Sequence, residues 1–305
     1  MGPLINTEAN AAYGFRWAGL LDETLAVEGA DGWPTVSVRQ TLVSDQESLE
    51  IEGVGADSAS IQTLAARLRL DRLSSSLEIR TREHLPMTDV IHPTLWPAAS
   101  VFARWHEHET FHAGAVSFDG QRAWAILGDR GDGKSSLLAA LALHGAEVLA
   151  DDLLVVAGQR CFAGPRCIDL RNEAAVALRI PAAAPLVRST ERRRLRLGPC
   201  AAEYALCGFV HLRWGAEVRL ERLLPVERLP LLLEHRRIAG LGADFDHLLD
   251  LVGLPVIRVT RPRDWRANRR LVAALEPDLA RLERASTRRT TARVPASRAL
   301  IGGGC

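Results

Sequence analysis

Apolar positions along the chain change period several times. Residues 14–20, 35–43, 48–52 and 76–80 alternate apolar with polar or are rich in β-formers, with Gly, Asp and Pro between them, and each predicts a strand. Residues 61–70 carry helical spacing, and so do 93–104, where Leu95, Trp96, Ala99 and Phe102 form a stripe behind Pro93. Then comes an apolar run, 124–127, that predicts a buried strand. A glycine-rich stretch follows, then a helix with Leu137, Leu138, Leu141 and Leu143, then a second apolar strand, 147–150, ending on Asp151-Asp152. Beyond it the pattern predicts a hairpin of 153–156 with 160–162 around Gly158-Gln159, and another of 206–212 with 218–223 around Gly215-Ala216. Helices over 226–236 and 245–252, a buried strand over 255–260 and a closing helix over 265–275 complete the chain.

The centre of this pattern carries the chemistry. Gly128-Asp129-Arg130-Gly131-Asp132-Gly133-Lys134-Ser135 fits G-x-x-x-x-G-K-[ST], the phosphate-binding P-loop, and lies between a predicted strand and a predicted helix as that motif requires. Glycines there let backbone N–H groups turn toward phosphate oxygens, and the helix adds its positive N-terminal dipole. Lys134 is expected to reach the β- and γ-phosphates, the Ser135 hydroxyl to meet Mg²⁺, and Ser136 to lie beside them. Lys134 is the only lysine in the chain, which otherwise takes its positive charge from arginine. Asp151-Asp152 end the next strand, where ligands bind in open α/β sheets, and that strand is expected close to the one feeding the loop. One carboxylate there can hold Mg²⁺ and the other can take a proton from an attacking hydroxyl.

In this order the residues resemble the catalytic domain of HPr kinase/phosphorylase and related peptide kinases, including those of some lasso-peptide biosynthetic clusters. The resemblance rests on His112-Ala113-Gly114-Ala115-Val116, then the P-loop, then His144-Gly145-Ala146-Glu147-Val148-Leu149-Ala150-Asp151-Asp152. It implies a P-loop kinase core with a mixed sheet, Asp151 as general base, His112 near the γ-phosphate, and Asp152 orienting the metal or the strand end. A later family motif matches Asp169-Leu170-Arg171-Asn172, which implies a metal role for Asp169 and a phosphate or structural role for Arg171. Two positions depart from the family: Ser136 stands where an acidic residue is usual, and Asn172 where glycine is.

Composition narrows the partners. With 305 residues, 47% hydrophobic, 25% charged and a net charge of +1, nothing global favours nucleic acid or a membrane surface. No apolar run reaches the length of a membrane span and no signal sequence is recognised, so a cytoplasmic protein is expected. Five cysteines lack paired spacing and read as reduced. His106, Glu107, His108 and Glu109 read as a solvated connector rather than a metal site, and residues 188–196, with five arginines, as a solvated loop or a phosphate-gripping lid.

The expected organisation is an α/β protein with an N-terminal α+β module over 1–105, a P-loop kinase domain over 106–285 and a disordered basic tail over 286–305. The expected activity is ATP- and Mg²⁺-dependent transfer of the γ-phosphoryl group to a Ser or Thr hydroxyl of a protein or ribosomal peptide. A nucleotide-driven ATPase or switch, and a small-molecule hydroxyl kinase, stay open beside it. Self-association into a homo-oligomer also stays open.

Overall fold

The computed structural model describes residues 10–20, 22, 25, 27, 30–44, 53–180, 192–237 and 245–291, without the side chains of 280–291. The strand expected over 48–52, residues 188–191 of the arginine stretch and residues 292–305 of the expected tail lie outside them.

The N-terminal part builds a seven-stranded sheet from β1 (Ala11–Ala12), β2 (Phe15–Ala18), β3 (Thr35–Leu42), β4 (Gly53–Val54), β5 (Ser58–Gln62), β6 (Arg67–Asp71) and β7 (Ser76–Thr81), in the order β1-β2-β3-β7-β6-β5-β4. Alternation sets its buried face: Val36 and Val38, Leu68 and Leu70, and Leu77 and Ile79 all point inward. The helix expected over 61–70 is instead the β5–β6 hairpin, in which Ala59 pairs with Leu70 and Ile61 with Leu68. Arg67-Leu68-Arg69-Leu70 has a period of two. Leu64 sits exposed in a turn whose Thr63 hydroxyl and amide both donate to the Ala66 carbonyl.

The sheet leads into α1 (Met87–Asp89), a π-helical turn at Val90–Thr94, and α2 (Leu95–Trp105). His92 leaves the helical region inside that turn (φ −145°, ψ 117°). The cause is local: the ring of Pro93 disfavours helical geometry in the residue before it.

A nine-stranded sheet follows, from β8 (Glu109–Phe111), β9 (Ala113–Ser117), β10 (Arg122–Leu127), β11 (Glu147–Ala150), β12 (Leu154–Ala157), β13 (Arg160–Phe162), β16 (Glu203–Trp214), β17 (Arg219–Arg222) and β18 (Val256–Arg261). A separate ribbon pairs β14 (Cys167–Arg171) with β15 (Arg192–Arg196). β10, β16 and β18 run parallel, whereas β9 is antiparallel to both β10 and β11. β11 therefore lies one strand away from β10 rather than beside it. The expected hairpin of 206–212 with 218–223 does not form either, because β18 lies between β16 and β17 and pairs with both.

β10 shows how the large sheet is covered on both faces. Ala123, Ala125 and Leu127 face a core shared with Trp17, Ile79 and Phe102, while Trp124 and Ile126 face a second core. That second core is closed by α3 (Lys134–Leu143), through Leu137, Leu138 and Leu141, and by α7 (Trp265–Thr291), through Leu271 and Leu275. Gly114 of β9 is needed here, because a Cβ there would collide with Leu138 of α3. Short α4 (Asn172–Ala177) follows β14, and α5 (Pro225–His235) and α6 (Phe245–Gly253) lie between β17 and β18.

α7 passes both its expected end at 275 and the expected start of a disordered tail at 286. Arginine, alanine and leucine, all good helix formers, are frequent from 276 onward and carry the helix to Thr291. The architecture is mixed α/β with several sheets, two of them mixed in strand direction.

Candidate functional site

The glycine-rich loop joins the carboxyl end of β10 to the first turn of α3. Gly131 and Gly133 have φ of 102° and 77°, which a side chain would resist. A Cβ at Gly133 would also come within 2.7 Å of the Arg261 guanidinium. That guanidinium donates to the Asp132 carbonyl (2.9 Å) and lies 4.4 Å over the Trp214 ring, and Trp214 Nε1–H donates to the Gly131 carbonyl (3.2 Å). Within the loop, the Asp129 amide donates to Asp132 Oδ2 (2.9 Å), and Arg213 contacts the Asp129 carboxylate at 3.3 Å. Arg130 is exposed, and Ser135 and Ser136 are half-buried at the start of α3.

Lys134 is buried. Its ammonium donates to the carbonyls of Gly128 (2.7 Å) and Asp129 (3.2 Å) and lies 3.1 Å from His112 Nε2. Burial lowers its pKa, against the pull of Asp152 and Asp151. His112, between β8 and β9, is turned the other way at Nδ1, 3.1 Å from the Asp152 carbonyl. Burial first, and then the Lys134 charge, push its pKa down to about 4. At neutral pH the ring is uncharged.

β11 delivers the two aspartates. Asp151 is buried, and the Ser135 hydroxyl donates to its Oδ1 at 3.2 Å. Burial, and then the neighbouring Asp152, raise the Asp151 pKa. Asp152 moves the other way: His92 first, and then His112 and Lys134, outweigh its desolvation and lower it. The Asp152 backbone has φ 65°, and the Leu153 amide donates to the Asp151 carbonyl across it (2.8 Å). That bond spans two residues around a positive φ, the rare and strained form of the γ-turn. The Asp152 side chain, just past the end of β11, is 34% exposed.

Residues outside the motifs finish the site. His92 Nε2 lies 3.4 Å from Asp152 Oδ2 and 3.8 Å from Asp169 Oδ2. Asp169, on β14, is fully buried and accepts both arms of the Arg194 guanidinium (2.7 and 2.8 Å). Arg194 also donates to the carbonyls of Thr88 and His92, each at 3.0 Å. Tyr13, fully buried in the turn after β1, has its pKa raised by burial and then by the charges of Cys167, Asp152 and Asp151.

The structure thus brings Lys134, Ser135, His112, Asp151 and Asp152 together, with Asp169 behind them. Arg171 is not drawn in with them; it is exposed at the end of β14 and caps α4 with its backbone. Residues 192–196 are not part of a loop but strand β15, and its buried Arg194 lies opposite the buried Asp169 of β14, each charge compensating the other. Glu109 is not in a solvated connector. It sits in β8 and binds Arg104 (2.8 Å) and Arg236 (2.6 Å), both buried. Among the described residues no group of three or more His, Cys, Asp or Glu side chains could hold a metal ion.

Sequence spacing could not reveal His92, Arg194, Trp214 or Arg261. Each lies on an element remote in sequence from the loop; the signal was at most the His-Pro step at 92–93 and the arginine run.

Comparisons with known proteins add little to this geometry. No family model matches the chain, and no curated protein matches it. Among solved structures, an HPr(Ser) kinase/phosphatase from Coxiella burnetii is 13% identical, with 57% of this chain and 98% of that one covered and a TM-score of 0.31. A likeness at that score identifies neither the fold nor the activity. No helix among the described residues is long and apolar enough to cross a membrane.

Proposed function

We propose that the chain is an ATP- and Mg²⁺-dependent kinase that transfers the γ-phosphoryl group to a Ser or Thr hydroxyl of a protein or ribosomally made peptide. The observation that carries this reading is a glycine-rich strand-to-helix loop whose buried Lys134 ammonium bonds the Gly128 carbonyl while the next residue, Ser135, bonds the Asp151 carboxylate. Phosphoryl transfer asks a protein chiefly for positioning, charge neutralisation and a placed base.

The chain's own residues fit those tasks. The loop's glycines leave its backbone N–H groups free of side-chain bulk, and Lys134 adds a buried point charge beside them. The Ser135 hydroxyl and the partly exposed Asp152 carboxylate are hard oxygen donors, suited to Mg²⁺, which keeps water and phosphate oxygens as its other ligands. An ion held by Ser135 and Asp152 would neutralise charge on the transferring phosphate. Asp151, with its pKa raised, accepts the acceptor's hydroxyl proton as the new O–P bond forms and the bond to ADP breaks. His112, neutral, holds the Lys134 ammonium and the Asp152 carbonyl in register.

The peptide acceptor rests on the motif resemblance over residues 112–152. Incubation with γ-labelled ATP, Mg²⁺ and a library of serine- and threonine-containing peptides tests the reading. Label on peptide supports it, and label released only as free phosphate would turn it into an ATPase.

A further inference from the structure

We infer that His92, contributed by the segment between the N-terminal sheet and α2, is a positioning residue for Asp152 and thereby for the metal that Asp152 holds. This deepens the kinase reading and rests on it.

Three observations converge on Asp152. Its backbone sits in a γ-turn of positive φ, closed by the Leu153 amide on the Asp151 carbonyl. Such a turn persists only where its surroundings hold it, and strained residues of this kind gather at functional sites. Its carbonyl accepts from His112 Nδ1–H (3.1 Å). Its carboxylate faces His92 Nε2 at 3.4 Å. The peptide is thus fixed on one side by a histidine from the large sheet, and the side chain on the other by a histidine from outside it.

His92 is itself held to face this way. Its backbone is extended inside a helical stretch because Pro93 follows it. Its carbonyl, with that of Thr88, is gripped by the Arg194 guanidinium, whose other contacts go to Asp169. The ring is 4% exposed and Nε2 faces two carboxylate oxygens, so an N–H stands at Nε2 whatever the ring's charge. Asp169 is occupied by Arg194 and fully buried; Asp152 is open to solvent on its remaining side. Of the two carboxylates only Asp152 can turn an oxygen to a bound cation, and the His92 contact decides which oxygen that is.

Groups that orient a metal-holding carboxylate typically change metal affinity or activity by about 10–100-fold when removed. The test compares wild type, His92→Ala and His92→Gln, the last keeping an N–H near the position of Nε2. Two quantities are read on each: the Mg²⁺ concentration for half-maximal binding of a non-hydrolysable ATP analogue, and the thermal midpoint. We expect both variants to lower the midpoint, because the ring is buried, but only His92→Ala to raise the Mg²⁺ requirement, by about 10-fold or more, with His92→Gln recovering most of that loss. Binding of the metal-free analogue should be unchanged in both.

An Ala variant within twofold of wild type overturns the inference. Equal losses in both variants, tracking a lowered midpoint, also overturn it and make His92 a packing residue. If the wild type binds no Mg²⁺·nucleotide at all, the kinase reading fails and this inference falls with it.

Discussion

Lys134 Nζ and His112 Nε2 stand 3.1 Å apart, and that contact fixes the histidine's proton. An ammonium has only donors to offer, so Nε2 presents its lone pair and Nδ1 carries the hydrogen, which it donates to the Asp152 carbonyl. The lowered pKa of His112 agrees with this neutral form. One imidazole thus ties the loop lysine to the turn that carries the two aspartates.

Replacing His112 by alanine should unfasten both ends. Phosphoryl transfer is expected to fall by about 10–100-fold, as for other removed orienting groups, while the thermal midpoint stays near that of wild type because the ring is only half-buried. Single-turnover transfer and a melting curve on the same preparation check this. A large loss of midpoint with full activity per folded molecule would mark His112 as a core residue.

Asp151→Asn keeps the side chain's shape and removes its proton acceptor. The chemical step should slow by about 10²–10⁴-fold, the usual contribution of a general base. Mg²⁺·ATP affinity should persist. If affinity and rate drop together, Asp151 is a metal ligand and Asp152 becomes the candidate base.

Glu109 anchors the sheet away from the chemistry. Its carboxylate accepts from Arg104 and from two nitrogens of Arg236, and all three side chains are within a few per cent of full burial. Glu109→Ala leaves two guanidinium groups buried without their carboxylate, which costs about 3–5 kcal/mol. Urea denaturation measures it, and a change under about 1 kcal/mol would show that water reaches the site.

His211 gives the fold a pH dependence. It is buried on β16, and burial, with His235 next, lowers its pKa to about 4. In the unfolded chain the ring takes its proton near pH 6.5. The folded-state pKa is the lower one, so unfolding takes up a proton between these values. The stability is full above about pH 6.5 and is lost as pH falls toward 4. His211→Gln should flatten that slope in a series of melting curves between pH 7 and 4. Asp151, whose pKa is raised, acts with the opposite sign in both proteins, so it cancels in the comparison.

The legible parts of the sequence were the local ones. The strand–loop–helix around Lys134 could be read because its signals, an apolar run, clustered glycines and a periodic helix, lie within one short stretch. Most elements after residue 93 could be read for the same reason. What could not be read were long-range decisions. Residues 61–70 count as apolar at helical spacing, yet the Leu68–Leu70 alternation wins once a sheet is there to bury one face. β18 inserts between β16 and β17, which no local turn signal records. His92 and Arg194 reach Asp152 and Asp169 from far along the chain, and spacing carries no trace of such contacts. The arginine stretch looked solvated because charge usually is, and only the buried Asp169 opposite explains Arg194.

In the kinase reading, residues 128–135 hold the phosphates of a nucleotide through Lys134. Calorimetric titration of Mg²⁺·ATP into wild type and Lys134→Ala tests it most directly. Micromolar, Mg²⁺-dependent binding is expected for wild type, weakened at least about 100-fold in the variant, since a buried charge on a phosphate contributes on the order of 3 kcal/mol. Equal affinity of the two proteins, with both folded, would contradict it.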